Sequence, residues 1–342
     1  MIVEIGPAPY VALAYPDETL FFPTDPGHGA PDAIRRLASL GELSRALGSA
    51  ELSLVVCRPN FSSPWGPRHL GRQIFSRRML EGRAAPIATF APELLRRRLG
   101  APLVVLDHED LPLINRDNLF LLDRCALWFK RELPADRWRV FLKTAHANLP
   151  TPRFRLDPRH AGWVEKLRPI SIGLPTEAAG LLPIAGVEKR ADVFFSGRLT
   201  GSSTLRTRGM AELRALAEAG VAIDVPEAPL PREDFYHRCA AAWLVWSPEG
   251  LGWDCFRHYE AAACGSVPLI NQPGIERHAP LIGGQHALYY DAEPGGLTRA
   301  VRAALADKPA LAKIAAAGQA HVMARHTPQA LARYVVESAS RL

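Results

Sequence analysis

The chain has 342 residues, a length that suits two domains of roughly 150 residues each better than one. Hydrophobic residues make up 48% and charged residues 22% of it, the range of an ordinary globular protein. No apolar run of about 18 residues or more occurs, which excludes a predicted membrane-spanning helix. The N-terminal residues carry Glu4 and three prolines but no basic segment, so they do not predict a signal peptide.

The net charge is +6, and the arginines occur in short clusters such as Arg35-Arg36 and Arg77-Arg78. Charge runs within helix-like segments usually form solvated faces, and no RNA-binding motif accompanies these. Nucleic acid is therefore not a predicted partner, whereas a basic surface would permit peripheral membrane contact. The five cysteines are scattered and form no C-x-x-C pair. We expect reduced thiols, no metal site and a cytoplasmic protein, at most attached to the inner face of the membrane.

Short apolar runs alternate with helical patterns along the chain, which predicts parallel α/β layers. In the first half the sequence predicts helices near Pro31–Leu47, Arg68–Leu80 and Ala91–Leu99, and strands at Thr19–Phe22, Leu52–Val56, Pro86–Thr89, Leu103–Leu106 and Cys125–Phe129. In the second half it predicts helices at Thr204–Ala219, Arg232–Ala240 and Asp254–Cys264, a mostly helical tail from Gly296, and strands at Ile170–Ile172, Asp192–Ser196, Ala222–Val225, Ala242–Trp246, Val267–Ile270 and Ala287–Tyr290.

The segment Thr151–Arg168 has no clear periodicity and is rich in proline, arginine and tryptophan, which is typical of an interdomain connection. We therefore predict an N-terminal Rossmann-like domain at 1–165, a C-terminal one at 166–325, and a final helix at 326–342 that could pack back on the first domain. The simplest model is a pair of Rossmann-like domains that bind ligands in the cleft between them.

The segment Ser247–Ile270 carries the strongest chemical signal. A buried strand runs into a loop that contains Gly250 and Gly252, and the loop leads into a helix. Glycines allow a ligand to approach the backbone closely, and free N–H groups at the start of a helix favour anions. We therefore expect this loop to bind phosphate, with a diphosphate as the leading candidate.

Helical geometry places Asp254, Arg257, His258 and Glu260 on one side of that helix, opposite an apolar face. The Arg257 guanidinium would suit a phosphate, and the Glu260 carboxylate could accept two hydrogen bonds from ribose hydroxyls. A surface helix with an Asp254–Arg257 ion pair and no ligand is the alternative that these residues leave open.

The stretch from Glu260 to Pro268, EAAACGSVP, resembles the donor-site signature E-A-x-A-x-G-x-[VI]-P of GT-B glycosyltransferases, most closely the exostosin-like bacterial enzymes of glycosyltransferase group 1. The resemblance implies two Rossmann-like domains, with Glu260 on the donor ribose and the preceding loop on the diphosphate. Many retaining GT-B enzymes place two glutamates eight positions apart, whereas Glu249 lies eleven positions before Glu260. The resemblance therefore does not assign a role to Glu249. It also does not distinguish a retaining from an inverting reaction.

Gly197, Arg198 and the leucine after them follow a predicted strand and resemble the G-R-L element that opens the C-terminal domain of many GT-B enzymes. There the arginine and a downstream basic residue, here Arg206 or Arg208, neutralise the donor diphosphate. Two cations could replace a divalent metal, and the D-x-D motif of metal-dependent glycosyltransferases is absent, so the resemblance implies no cofactor. A polar turn with a helix N-cap at Ser203 is the structural alternative.

Three loops of the first half follow predicted strands and would open on the same cleft. The first contains His28 and is similar to the glycine-rich acceptor-side loop of GT-B folds. The second, Asp107-His108-Glu109-Asp110, places three carboxylates and a histidine where a general base for an acceptor hydroxyl would be needed. The third contains Lys130 and Arg131, within a stretch that resembles the F-K-R-E segment of exostosin-like enzymes. Each loop also has a structural alternative without a ligand. These are a polar loop histidine for the first loop, a helix N-cap for the second and a capped strand end for the third.

The resemblance implies a bacterial enzyme, for instance of polysaccharide biosynthesis, that moves a sugar from a nucleotide-diphosphate donor to a glycan, a lipid-linked glycan or a protein. Donors of the UDP or GDP type are favoured. Two other functions stay open. A GT-B-fold sugar-nucleotide epimerase would act on the donor alone. A non-catalytic nucleotide- or glycan-binding partner of a glycosylation complex would bind without transfer, and the weaker match of the first half keeps it in consideration.

Overall fold

The computed structural model describes residues 1–24, 33–59, 94–114, 118–142, 144–146, 149–150, 158–184, 186–199 and 203–342. By their contacts these residues form two compact units. The first comprises Met1–Ile170 together with Leu331–Leu342, and the second comprises Ser171–Ala330. No helix within the described residues is long and apolar enough to cross a membrane.

Both units consist of short strands and helices that alternate along the chain. The strands are β1 Ile2–Gly6, β2 Thr19–Pro23, β3 Leu54–Cys57, β4 Leu103–Asp107, β5 Leu127–Lys130, β6 Thr144–His146, β7 Leu149–Pro150, β8 Leu167–Pro169, β9 Ala191–Phe194, β10 Ile223–Asp224, β11 Ala242–Trp246, β12 Val267–Asn271 and β13 Leu288–Tyr290. The α-helices are α1 Leu40–Leu47, α2 Phe120–Arg124, α3 Arg159–Val164, α4 Thr204–Glu218, α5 Arg232–Ala240, α6 Phe256–Ala263, α7 Gly296–Leu305, α8 Lys308–Arg325 and α9 Pro328–Ser340.

The first unit is built on a parallel sheet with the strand order β2-β1-β3-β4-β5-β8. Strands β1, β3, β4 and β5 are buried along their whole length, as expected of parallel strands that are covered on both faces. The C-terminal part of α9 packs against one face of this sheet, because Leu331, Ala332 and Val335 share an apolar cluster with residues of β1, β3 and β4. The Tyr334 hydroxyl also donates to the carbonyl of Pro169 at 3.1 Å.

The second unit is built on a parallel sheet with the strand order β10-β9-β11-β12-β13. Helices α4, α7 and α8 contribute Leu213, Val301 and Leu311 to the apolar cluster on one face. Helices α5 and α6 contribute Tyr236 and Ala261 to a cluster around β9 and β11. Each unit thus has the doubly wound α/β architecture that alternating apolar and helical segments predict.

The structure corrects the sequence analysis at two points in the first half. The helix predicted at Pro31–Leu47 begins only at Leu40. Ser39 caps it, since the Ser39 hydroxyl accepts from the Glu42 N–H at 3.2 Å, and residue 21 forms a bridge with Arg36, which holds the preceding chain extended. Strand β1 was not among the predicted elements. The elements predicted at 68–80 and 86–89 lie outside the described residues.

A third correction concerns the strand predicted at Ile170–Ile172. The strand is β8, which ends at Pro169 and pairs with β5 in the first sheet. The Ile172 N–H donates instead to the side chain of Asp254 at 2.6 Å, so this part of the backbone is satisfied without a neighbouring strand.

Candidate functional site

The carboxyl ends of β9 and β11 lie side by side where the strand order of the second sheet reverses. From β9 the chain passes outward to β10 and then returns to the other side of β9 as β11. Open parallel sheets bind ligands in the crevice outside the carboxyl ends of strands at such a point. Gly197 and Arg198 follow β9 here, and Pro248, Glu249 and Gly250 follow β11.

Arg206 of α4 joins the two loops that leave these strands. Its Nε donates to the carbonyl oxygen of Glu249 at 2.9 Å, and its Nη1 donates to the carbonyl oxygen of Arg198 at 2.9 Å. Burial, reinforced by the nearby charge of Arg257, lowers the pKa of Arg206. These contacts make Arg206 a positioning residue for both loops, and a direct contact of Arg206 with a diphosphate stays a prediction.

Gly250, in the loop after β11, lies close to the side chain of Arg206, which would have to shift slightly to admit a side chain at this position. A Cβ at Gly250 would lie 3.0 Å from Nη2 of Arg206, and the Gly250 N–H donates to the carbonyl of Gly252 at 2.9 Å. The loop is also fixed on its other side. Asn271 accepts from the Glu249 N–H at 2.9 Å and donates to the Glu249 carboxylate at 3.1 Å. Hydrogen bonds from two sides therefore hold the loop after β11.

Arg257 of α6 presents buried hydrogen-bond donors at this point. Its guanidinium carbon lies 5.0 Å from the ring centroid of Phe195, and its Nη2 lies against Gly197. Its Nε and Nη1 are buried and have no hydrogen-bond partner in the described part of the chain. A buried donor without a partner costs about 1–3 kcal/mol. The arrangement therefore favours an anionic ligand that would accept from Arg257.

Helix α6 begins beside this guanidinium without a side-chain cap. Its N-cap residue is Cys255, whose side chain accepts no hydrogen bond from the first turn. Helix starts of this kind carry partial positive charge and attract anions. The predicted helix began two residues earlier, at Asp254, so the assignment of Asp254 to a face of this helix was wrong.

Asp254 is instead directed into the unit and is 2% exposed. Its carboxylate accepts from the N–H of Ile172 and from the hydroxyl of Tyr259. These two contacts attach the beginning of the second unit to α6. The expected contact of Asp254 with a donor stays a prediction, and these hydrogen bonds do not support it.

Glu260 lies one turn further along α6. Its Oε1 accepts from the hydroxyl of the fully buried Tyr236 at 3.0 Å. Burial raises the pKa of Glu260, while the hydrogen bond from Tyr236 and the charge of Arg257 oppose that rise. The site thus holds one carboxylate and one guanidinium on the same helix, and each remains available for a different part of a ligand.

His258 was predicted on the same side of α6 as Arg257, but the structure turns it into the unit, where it is 1% exposed and belongs to a group of three polar side chains under the start of the helix. His258 Nδ1 lies 2.7 Å from the Ser247 hydroxyl, and His258 Nε2 donates to the carbonyl of Trp253 at 2.8 Å. Cys255 Sγ lies 3.7 Å from the same hydroxyl. Burial alone would raise the pKa of the Cys255 thiol, but His258, Arg257 and Ser247 together lower it to about 6. Cys255 is therefore an acidic thiol next to Arg257.

The first unit gives the predicted Asp107 internal contacts. The Asp107 carboxylate is 1% exposed, lies 3.0 Å from the Nζ of Lys130, and accepts from Trp128 Nε1 at 3.3 Å and from the Glu109 N–H at 3.2 Å. A carboxylate so enclosed is positioned to neutralise Lys130 within the fold. A catalytic role for Asp107 stays a prediction that these contacts do not support.

His108 follows Asp107 and belongs to the loop in which a general base was predicted. Arg131 Nη1 donates to the His108 carbonyl at 3.1 Å and to the Asp110 carboxylate at 2.6 Å. The Nε2 of His108 is buried and has no hydrogen-bond partner among the residues that the structure describes. Burial, followed by the charges of Arg58, Arg131 and Lys130, keeps the pKa of His108 well below its usual value. The predicted His28 lies outside the described residues.

Comparisons with known proteins agree with this architecture. No curated protein matches the chain, but residues 235–337 match the family model described as glycosyl transferase-like. HepE from Anabaena, solved in complex with UDP, is 15% identical and aligns over 100% of both chains with a TM-score of 0.53. The UDP-forming α,α-trehalose-phosphate synthase from Burkholderia vietnamiensis is 12% identical over 100% of both chains, with a TM-score of 0.55. Sucrose-phosphate synthase from Thermosynechococcus elongatus is 12% identical over 100% of this chain and 98% of that one, with a TM-score of 0.52.

The chain has the GT-B glycosyltransferase fold. Both the predicted fold class and the predicted resemblance to GT-B glycosyltransferases are confirmed. The narrower likeness to exostosin-like enzymes stays a prediction. Within this GT-B fold, the second unit brings five of the predicted donor-side residues together at the strand reversal, namely Gly197, Arg198, Arg206, Gly250 and Arg257.

Proposed function

We propose that the protein is a glycosyltransferase that binds a nucleoside-diphosphate sugar at the carboxyl edge of the second sheet. The observation that carries the proposal is the guanidinium of Arg257, whose Nε and Nη1 are buried without a partner in the described chain beside the uncapped start of α6. The glycosyl transferase-like model that matches residues 235–337 covers this helix and supports the same assignment.

In this proposal the diphosphate lies against Arg257 and the first turn of α6, between the loops after β9 and β11. Negative charge grows on the diphosphate as the bond to the sugar breaks. A fixed guanidinium and oriented backbone N–H groups would stabilise that charge without rearranging, which is the main electrostatic source of catalysis. Arg206 is held beside Arg257 by its hydrogen bonds to the carbonyls of both loops. The positive charges of Arg206 and Arg257 would together neutralise the diphosphate, as a metal ion does in metal-dependent enzymes.

The nucleoside would lie further along α6, where Glu260 offers a carboxylate to the ribose hydroxyls. UDP is the favoured nucleotide, since HepE is solved with UDP and the aligned trehalose-phosphate synthase is UDP-forming. The acceptor, a glycan, a lipid-linked glycan or a protein, would bind on the first unit. His108 is our leading candidate there for a contact with the acceptor, because its Nε2 has no partner among the described residues.

A nucleotide panel tests the donor site directly. Melting temperatures are measured with UDP, GDP, TDP, ADP and CMP for the unchanged protein, for Arg257→Ala and for Arg238→Ala. A ligand at about 100 times its dissociation constant stabilises by roughly 2.7 kcal/mol, or a shift of a few degrees. We expect a shift with UDP that Arg257→Ala abolishes. Arg238 of α5 pairs with Asp224 of β10, so Arg238→Ala should keep the shift.

Transfer is tested by release of free UDP from UDP-sugars in the presence and absence of an acceptor panel. Acceptor-dependent release that requires Arg257 would establish a glycosyltransferase. Nucleotide binding without release or transfer on any acceptor would favour a non-catalytic partner. Interconversion of the donor sugar without an acceptor would favour an epimerase.

A further inference from the structure

A buried tyrosine hydroxyl lies behind the carboxylate that the proposed site offers to ribose. Tyr236 belongs to α5, is fully buried, and donates through its hydroxyl to Oε1 of Glu260 at 3.0 Å. Burial, together with the charge of Glu260, raises the pKa of Tyr236. The hydroxyl therefore keeps its proton, and Glu260 receives a permanent donor from a neighbouring helix.

We propose that Tyr236 positions Glu260 for the ribose hydroxyls and thereby sets a preference for ribonucleotide over 2′-deoxyribonucleotide donors. The inference rests on the proposed function, because it concerns the nucleoside of the same ligand. Tyr236 itself does not touch the ligand in this proposal. It acts through Glu260 as a positioning residue.

The geometry of α6 shows why a positioning residue is needed. Arg257 and Glu260 are three residues apart on one helix, a spacing at which oppositely charged side chains readily pair. Pairing would remove the guanidinium from the phosphate and the carboxylate from the ribose together. The hydrogen bond from Tyr236 draws the Glu260 carboxylate toward α5, and Arg257 stays against Phe195 and Gly197.

The carboxylate keeps enough capacity for a ligand in this arrangement. A carboxylate has two oxygens and about four positions that can accept a hydrogen bond. Tyr236 occupies one position on Oε1. The remaining positions suffice for two ribose hydroxyls, and a fixed carboxylate distinguishes a ribose from a sugar that lacks one hydroxyl more sharply than a mobile one.

The test compares ribonucleotides with their 2′-deoxy counterparts in Tyr236→Phe. This change removes the hydroxyl and keeps a ring in the apolar cluster that contains Phe194 and Cys239. Dissociation constants of UDP, 2′-deoxy-UDP, GDP and 2′-deoxy-GDP are measured by calorimetry. Tyr290→Phe is the matched control, since Tyr290 is also buried in this unit and its hydroxyl accepts from Trp246 Nε1 at 2.9 Å.

We expect the unchanged protein to prefer the ribonucleotide, and Tyr236→Phe to weaken ribonucleotide binding about tenfold but 2′-deoxyribonucleotide binding much less, because the 2′-deoxy ligand has only its 3′-hydroxyl to place on Glu260. A merely structural role would weaken both nucleotides equally. Tyr290→Phe should preserve the preference. A preference that survives in Tyr236→Phe would overturn this inference and leave the proposed function standing. Failure of every nucleotide to bind the unchanged protein would overturn the proposed function itself.

Discussion

The guanidinium of Arg257 occupies the space that a side chain at position 197 would fill, because Nη2 of Arg257 lies directly against Gly197. The two residues are far apart in sequence, since Gly197 lies in the loop after β9 and Arg257 lies in the first turn of α6. Gly197 is thus required by the position of Arg257, independently of any need for flexibility in the loop after β9. The glycine and the arginine form one structural unit of the candidate donor site.

Gly197→Ala should therefore weaken nucleotide binding without unfolding the protein. The new methyl group would displace Arg257 from the phosphate position. Hydrogen bonds to charged groups are worth about 1.5–3 kcal/mol, which corresponds to a loss of affinity of roughly 10- to 100-fold. Calorimetric titration with UDP measures the loss. Gly274→Ala is the matched control, since a Cβ there meets nothing within 4 Å. Equal affinity of Gly197→Ala and the unchanged protein would contradict the prediction.

Cys255 should be the first cysteine to react with iodoacetamide. All five cysteines lie in described parts of the chain, and four are buried while Cys255 is partly exposed. Because His258, Arg257 and Ser247 outweigh burial and lower the pKa of Cys255 to about 6, the thiol is largely the reactive thiolate at pH 7.5.

Peptide mass spectrometry after timed alkylation measures this reactivity. The rate at Cys255 should rise through about pH 6 and then level off. UDP should slow it, because the proposed phosphate position adjoins Arg257. Cys255→Ser should remove the early modification. Labelling spread evenly over several cysteines would show that the thiol is not activated.

The sequence predicted the second unit closely because its elements have clear boundaries. Helix Arg232–Ala240 and strand Ala242–Trp246 have the predicted limits. By contrast, β1 was missed because Glu4 interrupts its apolar run. The structure buries Glu4 completely and satisfies its carboxylate with the N–H groups of Tyr10 and Ala12, at 2.8 and 2.9 Å. From sequence alone, a charged residue in the middle of an apolar run argues against a buried strand, because the backbone N–H groups that satisfy the charge cannot be foreseen.

The candidate site was predictable where its chemistry lies within one segment. The position of Arg257 on α6 follows from helical spacing, and glycines mark the loops that it adjoins. Tyr236 could not be found in that way, because it meets Glu260 only through packing of α5 against α6. Likewise, the acidic residues before α6 and at the end of β4 were predicted as ligand groups, but Asp254 and Asp107 accept hydrogen bonds inside their own units.

Removing Lys130 should strongly destabilise the first unit. Lys130 and Asp107 form a buried ion pair at 3.0 Å with exposures of 0% and 1%. Lys130→Met would leave a buried carboxylate without its counter-ion, which costs about 3–5 kcal/mol. The double variant Lys130→Met/Asp107→Asn removes both charges and should recover part of that loss.

Urea unfolding monitored by tryptophan fluorescence compares these variants. Lys308→Met serves as the control, because Lys308 pairs with Asp192 at 3.1 Å on a much more exposed part of the surface. The loss there should be at most about 1 kcal/mol. A double variant less stable than Lys130→Met alone would contradict the ion-pair explanation.

Mild acid should destabilise the second unit through His326. Burial lowers the pKa of His326 to about 3, and His326 also contacts the Ser171 hydroxyl and the Ala279 carbonyl, each at 2.8 Å. In the unfolded chain a histidine titrates near pH 6.5. Between about pH 6.5 and 3, His326 therefore carries a proton in the unfolded state but stays neutral in the folded state. The stability from neutral His326 is present above pH 6.5 and falls as the pH decreases, by up to about 1.4 kcal/mol per pH unit.

Melting temperatures between pH 8 and pH 4.5 measure this dependence. His326→Gln should lower stability at pH 8, because its two contacts are lost or weakened, but it should flatten the decline below pH 6.5. The exposed His237→Gln is the control and should leave the slope unchanged. His278 and His286 also have a lowered pKa because of burial, so part of the slope should remain in His326→Gln. An unaltered slope in His326→Gln would assign the acid sensitivity to other groups.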